Sequence, residues 1–214
     1  SASETPGIYY FEERQIKRWS YQPYSTDYQN QKIMADISKI TQAMSKTVDK
    51  PDWISETLIR LVQFRINQEE FSSRIYLAMS VWLNLNGYFG ASKLYKKYSD
   101  EEEGHAQAFR EYLLDLNVLP EISVVAKPQT AFTSLMDVAQ KTLEHELLVT
   151  KQINSLASES LKASDFMALE IAQRYLREQT EEISKSRSLI DRLEIAGDDK
   201  CSLLIIDKEL GKKA

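Results

Sequence analysis

Glu102 and His105 stand three residues apart in the stretch Glu101-Glu102-Glu103-Gly104-His105, which reads as part of a long helix. Side chains three apart share one helix face. A carboxylate and an imidazole placed this way can close on a single metal ion. The chain has only 2 histidines, so the placement of one beside a glutamate carries weight. Three more carboxylates, Glu69, Glu146 and Glu182, fall on apolar helical faces where an aliphatic side chain would ordinarily sit. A buried carboxylate is costly and either takes up a proton or finds a partner. Four in one core would repel each other, and a multivalent cation supplies the missing charge. Mixed carboxylate and imidazole ligands suit iron, manganese or zinc more than calcium. Two ions bridged by one Glu would engage all five groups. The competing reading puts each carboxylate in solvent or in an ion pair. For any single Glu that reading is the stronger one; for four separate helical faces it is the weaker.

The elements that must position these groups are helices. Apolar residues recur at alternating spacings of three and four, the pattern of a bundle seam. A first helix is predicted over 55–83, capped by Ser55, with the seam Val62, Ile66, Glu69, Ser73, Tyr76, Ser80, Leu83. A turn with Gly87 and Gly90 leads to an antiparallel second helix over 88–116, with Tyr95, Tyr98, Glu102, His105, Phe109 and Tyr112 on one face. Gly104 lies inside it, where glycine costs about 1 kcal/mol relative to Ala; it either permits close packing or is simply tolerated. Residues 117–134 hold Pro120 and Pro128 and show no periodicity. They read as a long connection able to cross the length of a bundle. A third helix follows over 135–161, carrying Glu146. A fourth, capped by Asp165, carries Glu182, and a short one over 202–210 ends the chain. The expected fold class is all-α, a four-helix bundle with a long crossover connection and a short fifth helix.

Composition bounds the function. The net charge of −5 lacks the basic face of a nucleic-acid binder and suits attraction of cations. A single cysteine, Cys201, rules out an internal disulfide framework and fits a reducing compartment. No apolar run reaches the length of a membrane span, so neither a membrane nor a nucleic-acid partner is expected. Residues 1–54 differ from the rest. Seven acids balance seven bases, and Tyr9, Tyr10, Phe11, Trp19, Tyr21, Tyr24 and Tyr28 crowd the start. An amphipathic helix is predicted near 33–44. The chain therefore divides into an N-terminal extension, 1–54, and a bundle domain, 55–214. The cytoplasm is the expected compartment, or a plastid or mitochondrion if a leader preceding Ser1 has been removed.

Several separated stretches, in collinear order over about 55–211, resemble ferritin, closest to the bacterial-type non-haem form. They are Asn67-Gln68-Glu69-Glu70-Phe71-Ser72-Ser73, Tyr76, Glu101 to His105, Glu144-His145-Glu146, Arg177-Glu178-Gln179-Thr180-Glu181-Glu182, and Leu203 to Leu210. The resemblance implies a ferritin-like bundle in which one iron is held by Glu69, Glu102 and His105. Glu102 would bridge to a second iron held by Glu146 and Glu182. Gln179 matches the glutamine near the second iron, and Tyr76 the tyrosine beside the centre, for which an ordinary core role weighs equally. Glu101, Glu178 and Glu181 match the extra, third iron site of bacterial-type members.

The activity so implied is ferroxidase: Fe(II) oxidised by dioxygen or peroxide, with the ferric product stored as mineral inside a homo-oligomeric shell of twenty-four subunits. The Glu-x-x-His pair occurs once. Thr142 stands three before His145, and Lys185 three after Glu182. Bacterioferritin, rubrerythrin and most di-iron oxygenases use two such pairs, so the chain resembles them less. Haem binding is not expected, although Met79 is present, and His145 is expected to be structural. The acidic pair that lines the three-fold channel of animal-type ferritins has no match at 169–173, although Glu170 is close. Two alternatives stay open: a partner-binding scaffold on a ferritin-like bundle, and a di-iron enzyme acting on an organic substrate without forming a storage shell.

Overall fold

The computed structural model describes residues 54–214. The predicted extension, with its helix near 33–44, lies outside the described residues apart from Ile54. Among those described there are five helices and no strand: α1 Glu56–Leu85, α2 Phe89–Asp115, α3 Leu135–Lys162, α4 Phe166–Ala196 and α5 Lys200–Leu210. The described residues are all-α, as their periodicity implies.

Local chemistry sets the helix ends. Ser55, Ser134 and Asp165 each accept a hydrogen bond from the backbone N–H three residues on, at the starts of α1, α3 and α4. Such side-chain caps are worth about 1 kcal/mol. The last helix begins two residues before the predicted start, because Asp199 caps it through the Ser202 N–H. Gly87, at φ +85°, turns the chain between α1 and α2, a conformation that a side chain would strain.

The start of α2 has no cap of its own. The Asp207 carboxylate of α5 supplies one, accepting from the Gly90 and Ala91 N–H groups at 3.0 and 2.7 Å. This contact requires Gly90. A Cβ there would lie 1.9 Å from the Asp207 carbonyl oxygen.

The long connection explains how the helices are ordered. Gln63, near the start of α1, exchanges two hydrogen bonds of 2.7 Å with the Glu121 backbone. Asn67 donates to the Val124 carbonyl at 3.1 Å. At the far end of α1, Trp82 meets Phe132 edge to face. The connection thus runs along α1 from end to end. Helix α2 spans about 40 Å at 1.5 Å per residue, and nineteen extended residues reach on the order of 60 Å. Helix α3 therefore starts at the end of the bundle where α2 started, and the two run parallel. Short turns make α1 and α2, and likewise α3 and α4, antiparallel pairs.

Two apolar clusters fill the bundle. One gathers Leu58, Val62, Ile66, Phe109, Leu113, Ile153 and Tyr175. The other gathers Met79, Leu83, Leu94, Tyr95, Leu135, Val138, Leu193 and the inner face of α5. Between them lies a layer that holds Glu69, Ser72, Glu102, Glu146 and Gln179, all buried.

Gly90→Ala separates two effects of opposite sign. Helix propensity alone would stabilise the variant by about 1 kcal/mol, whereas displacing α5 should cost about 1–3 kcal/mol. Thermal unfolding should show a lower Tm. A higher Tm would mean that α5 does not dock as described.

Candidate metal centre

Each helix of the bundle brings polar groups to the central layer. Helix α1 presents Glu69 at the middle of its buried face, α2 presents Glu102 and His105, α3 Glu146, and α4 Gln179 and Glu182. One ligand atom from each of Glu69, Glu102 and His105 falls within 4.8 Å of the others. Beside them opens a pocket of about 20 Å³ lined by Tyr76, Tyr98, Glu101, Glu102, His105, Thr142, Glu146, Glu178, Gln179 and Glu182. That volume suits a small ion or one water rather than an organic molecule.

His105 uses both ring nitrogens. Its Nδ1 lies 3.0 Å from Glu102 Oε2 and its Nε2 3.2 Å from Glu178 Oε1. Tyr76 donates its hydroxyl to Glu146. Gln179 lies beside Glu146 and favours its charged form, while its own carbonyl accepts from Thr150 Oγ1 at 2.9 Å. The second Glu146 oxygen, Oε2, is buried without a hydrogen-bond partner. Glu182 is half-buried and receives Lys185 Nζ at 2.6 Å.

Burial raises the pKa of Glu102 to about 8, a rise that the hydrogen bond with His105 moderates and the nearby Glu69 charge enhances. Burial likewise lifts Glu146 to about 7; the neighbouring Gln179 works against this, and the charges of Glu182 and Glu69 add to it. For His105, burial opposes the charged ring, but the hydrogen bonds to Glu102 and Glu178 outweigh it and raise its pKa to about 10. A metal-free core at neutral pH therefore retains protons that an incoming cation would displace.

The structure brings Glu69, Glu102, His105, Glu146, Glu182, Tyr76 and Gln179 to one layer. Glu101 and Glu178 line the pocket's outer side, whereas Glu181 is exposed and outside the lining. His145 points elsewhere. Its Nε2 lies 2.8 Å from Ser72 Oγ and its ring meets Tyr76 edge to face. Burial drives its pKa down to about 4, so it stays neutral at physiological pH. Gly104 is exposed, and a Cβ there would meet nothing within 4 Å, so it serves no close helix contact.

Sequence reasoning missed Arg65. Its guanidinium is buried at 1% exposure and pairs with Glu69, equally buried, and with Gln152 Oε1. The seam read from the sequence stepped from Val62 to Ile66 and passed over it. The available signal was an Arg four residues before the Glu on the same face, the spacing of a helical ion pair. Tyr98 and Thr142 also line the pocket without having been singled out for it.

The pKa shifts predict a pH dependence for the metal-free protein. A carboxyl with a raised folded pKa keeps its proton after the unfolded chain has released it, so stability falls as pH rises between the two values. For Glu102 that window runs from 4.5 to about 8. His105 acts with the same sign between 6.5 and about 10. His145 acts oppositely, but only from about 4 to 6.5. The Tm should therefore decline from pH 6.5 to 8.5, and Glu102→Gln should flatten the decline. A wild-type Tm that does not change over this range would contradict the buried, proton-holding layer.

Comparison with known proteins gives the family. The ferritin family, described as a ferritin-like domain, matches residues 59–196. A probable bacterial non-heme ferritin-like protein of Haemophilus influenzae is 35% identical over 158 residues, 74% of this chain and 96% of that protein. A bacterial non-heme ferritin of Escherichia coli O6:H1 is 35% identical over 153 residues, 72% of this chain and 93% of its own length. Among solved structures, a novel open pore ferritin from the hyperthermophilic archaeon Archaeoglobus fulgidus superposes with a TM-score of 0.72 at 29% identity, covering 74% of this chain and 97% of the other. With the family matched across the bundle and the relatives covered almost end to end, the chain belongs to the ferritin family.

Proposed function

We propose that this chain is an iron-storage ferritin subunit that oxidises Fe(II) at a paired site in its bundle core and delivers ferric product to the hollow of a homo-oligomeric, twenty-four-subunit shell. The observation that carries the reading is the convergence of Glu69, Glu102 and His105 in a buried layer whose next carboxylate, Glu146, has an unpartnered oxygen. A buried acceptor without a partner is costly, and a cation satisfies it. The donors are oxygen with one imidazole, a set that suits Fe(II).

Iron is the substrate. Glu69, Glu102 and His105 would hold one Fe(II), with Glu102 reaching the second beside Glu146 and Glu182. Binding would displace protons from Glu102, Glu146 and His105. Each Fe(II) gives up one electron. Dioxygen takes the two electrons and two protons and leaves as hydrogen peroxide, which can oxidise a further pair and leave as water. Holding two one-electron donors side by side makes this two-electron step effectively unimolecular. Tyr76 keeps Glu146 oriented through its hydroxyl, and Gln179 steadies the same carboxylate. Glu101, Glu178 and Glu181 would receive a third iron on the outer side of the pocket. No haem enters this reading.

One observation favours a second reading, a di-iron enzyme acting on an organic substrate. A groove of about 400 Å³ shares Tyr98 and Thr142 with the site pocket and is otherwise lined by residues such as Leu94, Ala139 and Leu189. Particle size distinguishes the two, since storage requires a large shell and the enzyme does not.

Aerobic Fe(II) added to the metal-free protein should be oxidised much faster than in buffer, as followed by ferric absorbance. Glu102→Ala should lower the fast phase at least about tenfold, the scale of a lost metal-ligand interaction. Size-exclusion chromatography should give a particle of many subunits. Oxidation no faster than buffer, or a particle of a few subunits, would overturn the storage reading.

A further inference from the structure

Glu69 has two claimants. Its carboxylate belongs to the three-residue cluster that can hold an ion, and it is also the anionic partner of Arg65. Arg65 is among the largest fully buried side chains. One guanidinium terminus meets Glu69, the other meets Gln152, and Nε has no partner. Gln152 is in turn steadied by its own donation to Gln68 Oε1 at 3.1 Å. The fork is thus held between α1 and α3, with no solvent to screen it. A buried arginine is tolerable only with its counter-ion in place. A cation that takes Glu69 must therefore remove or share that counter-ion, and must do so beside a fixed positive charge.

We propose that Arg65 is a resident counter-cation that neutralises Glu69 in the metal-free protein and competes with the first divalent ion for it, thereby setting the threshold for loading. The proposal rests on the metal-site reading above and concerns a positioning residue, since Arg65 would touch the ligand and not the ion. The Gln152 contact gives the guanidinium a second anchor when Glu69 turns toward metal. The consequence is a trade of opposite signs. Arg65 stabilises the empty bundle and weakens first binding.

The test uses the full chain and Zn(II), which binds without redox chemistry, with calorimetric titration as the readout and Glu102→Ala to identify the heat that belongs to the core site. Arg65→Gln removes the charge and keeps an amide that can reach Gln152. It should lower the Tm of the metal-free protein and tighten first Zn(II) binding by about tenfold or more, a small part of the repulsion expected at an effective dielectric of about 20. Arg65→Lys keeps an ammonium beside Glu69 but loses the fork to Gln152, so its first binding should fall between that of wild type and that of Arg65→Gln. A packing role alone would lower the Tm without tightening binding. Unchanged or weaker binding by Arg65→Gln overturns the proposal. If that variant does not fold, the crystal structure of the Zn(II)-loaded wild type decides: Arg65 released from Glu69 supports competition, and an intact pair overturns it. A wild type with no Glu102-dependent Zn(II) binding would instead sink the metal-site reading itself.

Discussion

Three buried glutamates, Glu69, Glu102 and Glu146, meet in the middle of a bundle whose two halves are otherwise apolar, with half-buried Glu182 beside them. Each fully buried aliphatic side chain in those halves is worth roughly 1.5–3 kcal/mol. The clusters above and below the layer together offset the cost of holding carboxylates away from water. The arrangement also fixes position. The three buried glutamates can neither spread apart nor turn outward without disturbing packed helices on both sides. The crossover along α1, the Asp207 cap on α2 and the close approach at Gly90 are all means of keeping four long helices in register around that layer.

How the layer survives without metal follows from its neighbours. Arg65 stands against Glu69, His105 against Glu102, and Lys185 against Glu182. Glu146 alone has no cationic partner. It has a tyrosine, a glutamine, a pKa raised to about 7 and one empty oxygen. Glu102 and Glu146, pushed up by burial to about 8 and about 7, are the two carboxyls that hold protons near neutral pH. The metal-free core is thus close to electrically balanced, and loading exchanges protons and side-chain cations for metal charge. The raised pKa values and the buried arginine are two expressions of one electrostatic demand.

Much of this was legible in the chain. The three-four spacing set the helices and their inward faces, and Ser55 and Asp165 announced their own helix starts. Glu69, Glu102, His105 and Glu146 stood out as charges on apolar seams. Other features could not be read because they depend on contacts between distant segments. Nothing local indicates that Gln63 and Asn67 pin the backbone at 121–124, or that Asp207 caps a helix more than a hundred residues earlier. Arg65 is the instructive miss. An arginine beside a seam is ordinarily taken as a solvated edge residue, since its long stem allows the charge to reach water. Here α3 covers that edge, and Gln152 closes the way out.

The single Glu-x-x-His pair gives the layer an asymmetry that the helices preserve. His105 faces the cluster, whereas His145, on the helix that supplies Glu146, turns to Ser72 and stays neutral. On α4, where a second histidine would complete the pair, Lys185 holds Glu182. In the proposed reading the two iron positions are therefore unlike. The one beside α1 and α2 has an imidazole and must contend with a buried guanidinium. The one beside α3 and α4 has oxygen donors, an amide and a lysine nearer solvent. Imidazole is the stronger donor for a divalent transition metal, and the guanidinium works against it. Their balance decides which position fills first, and Arg65 weighs on it through Glu69 without touching either ion.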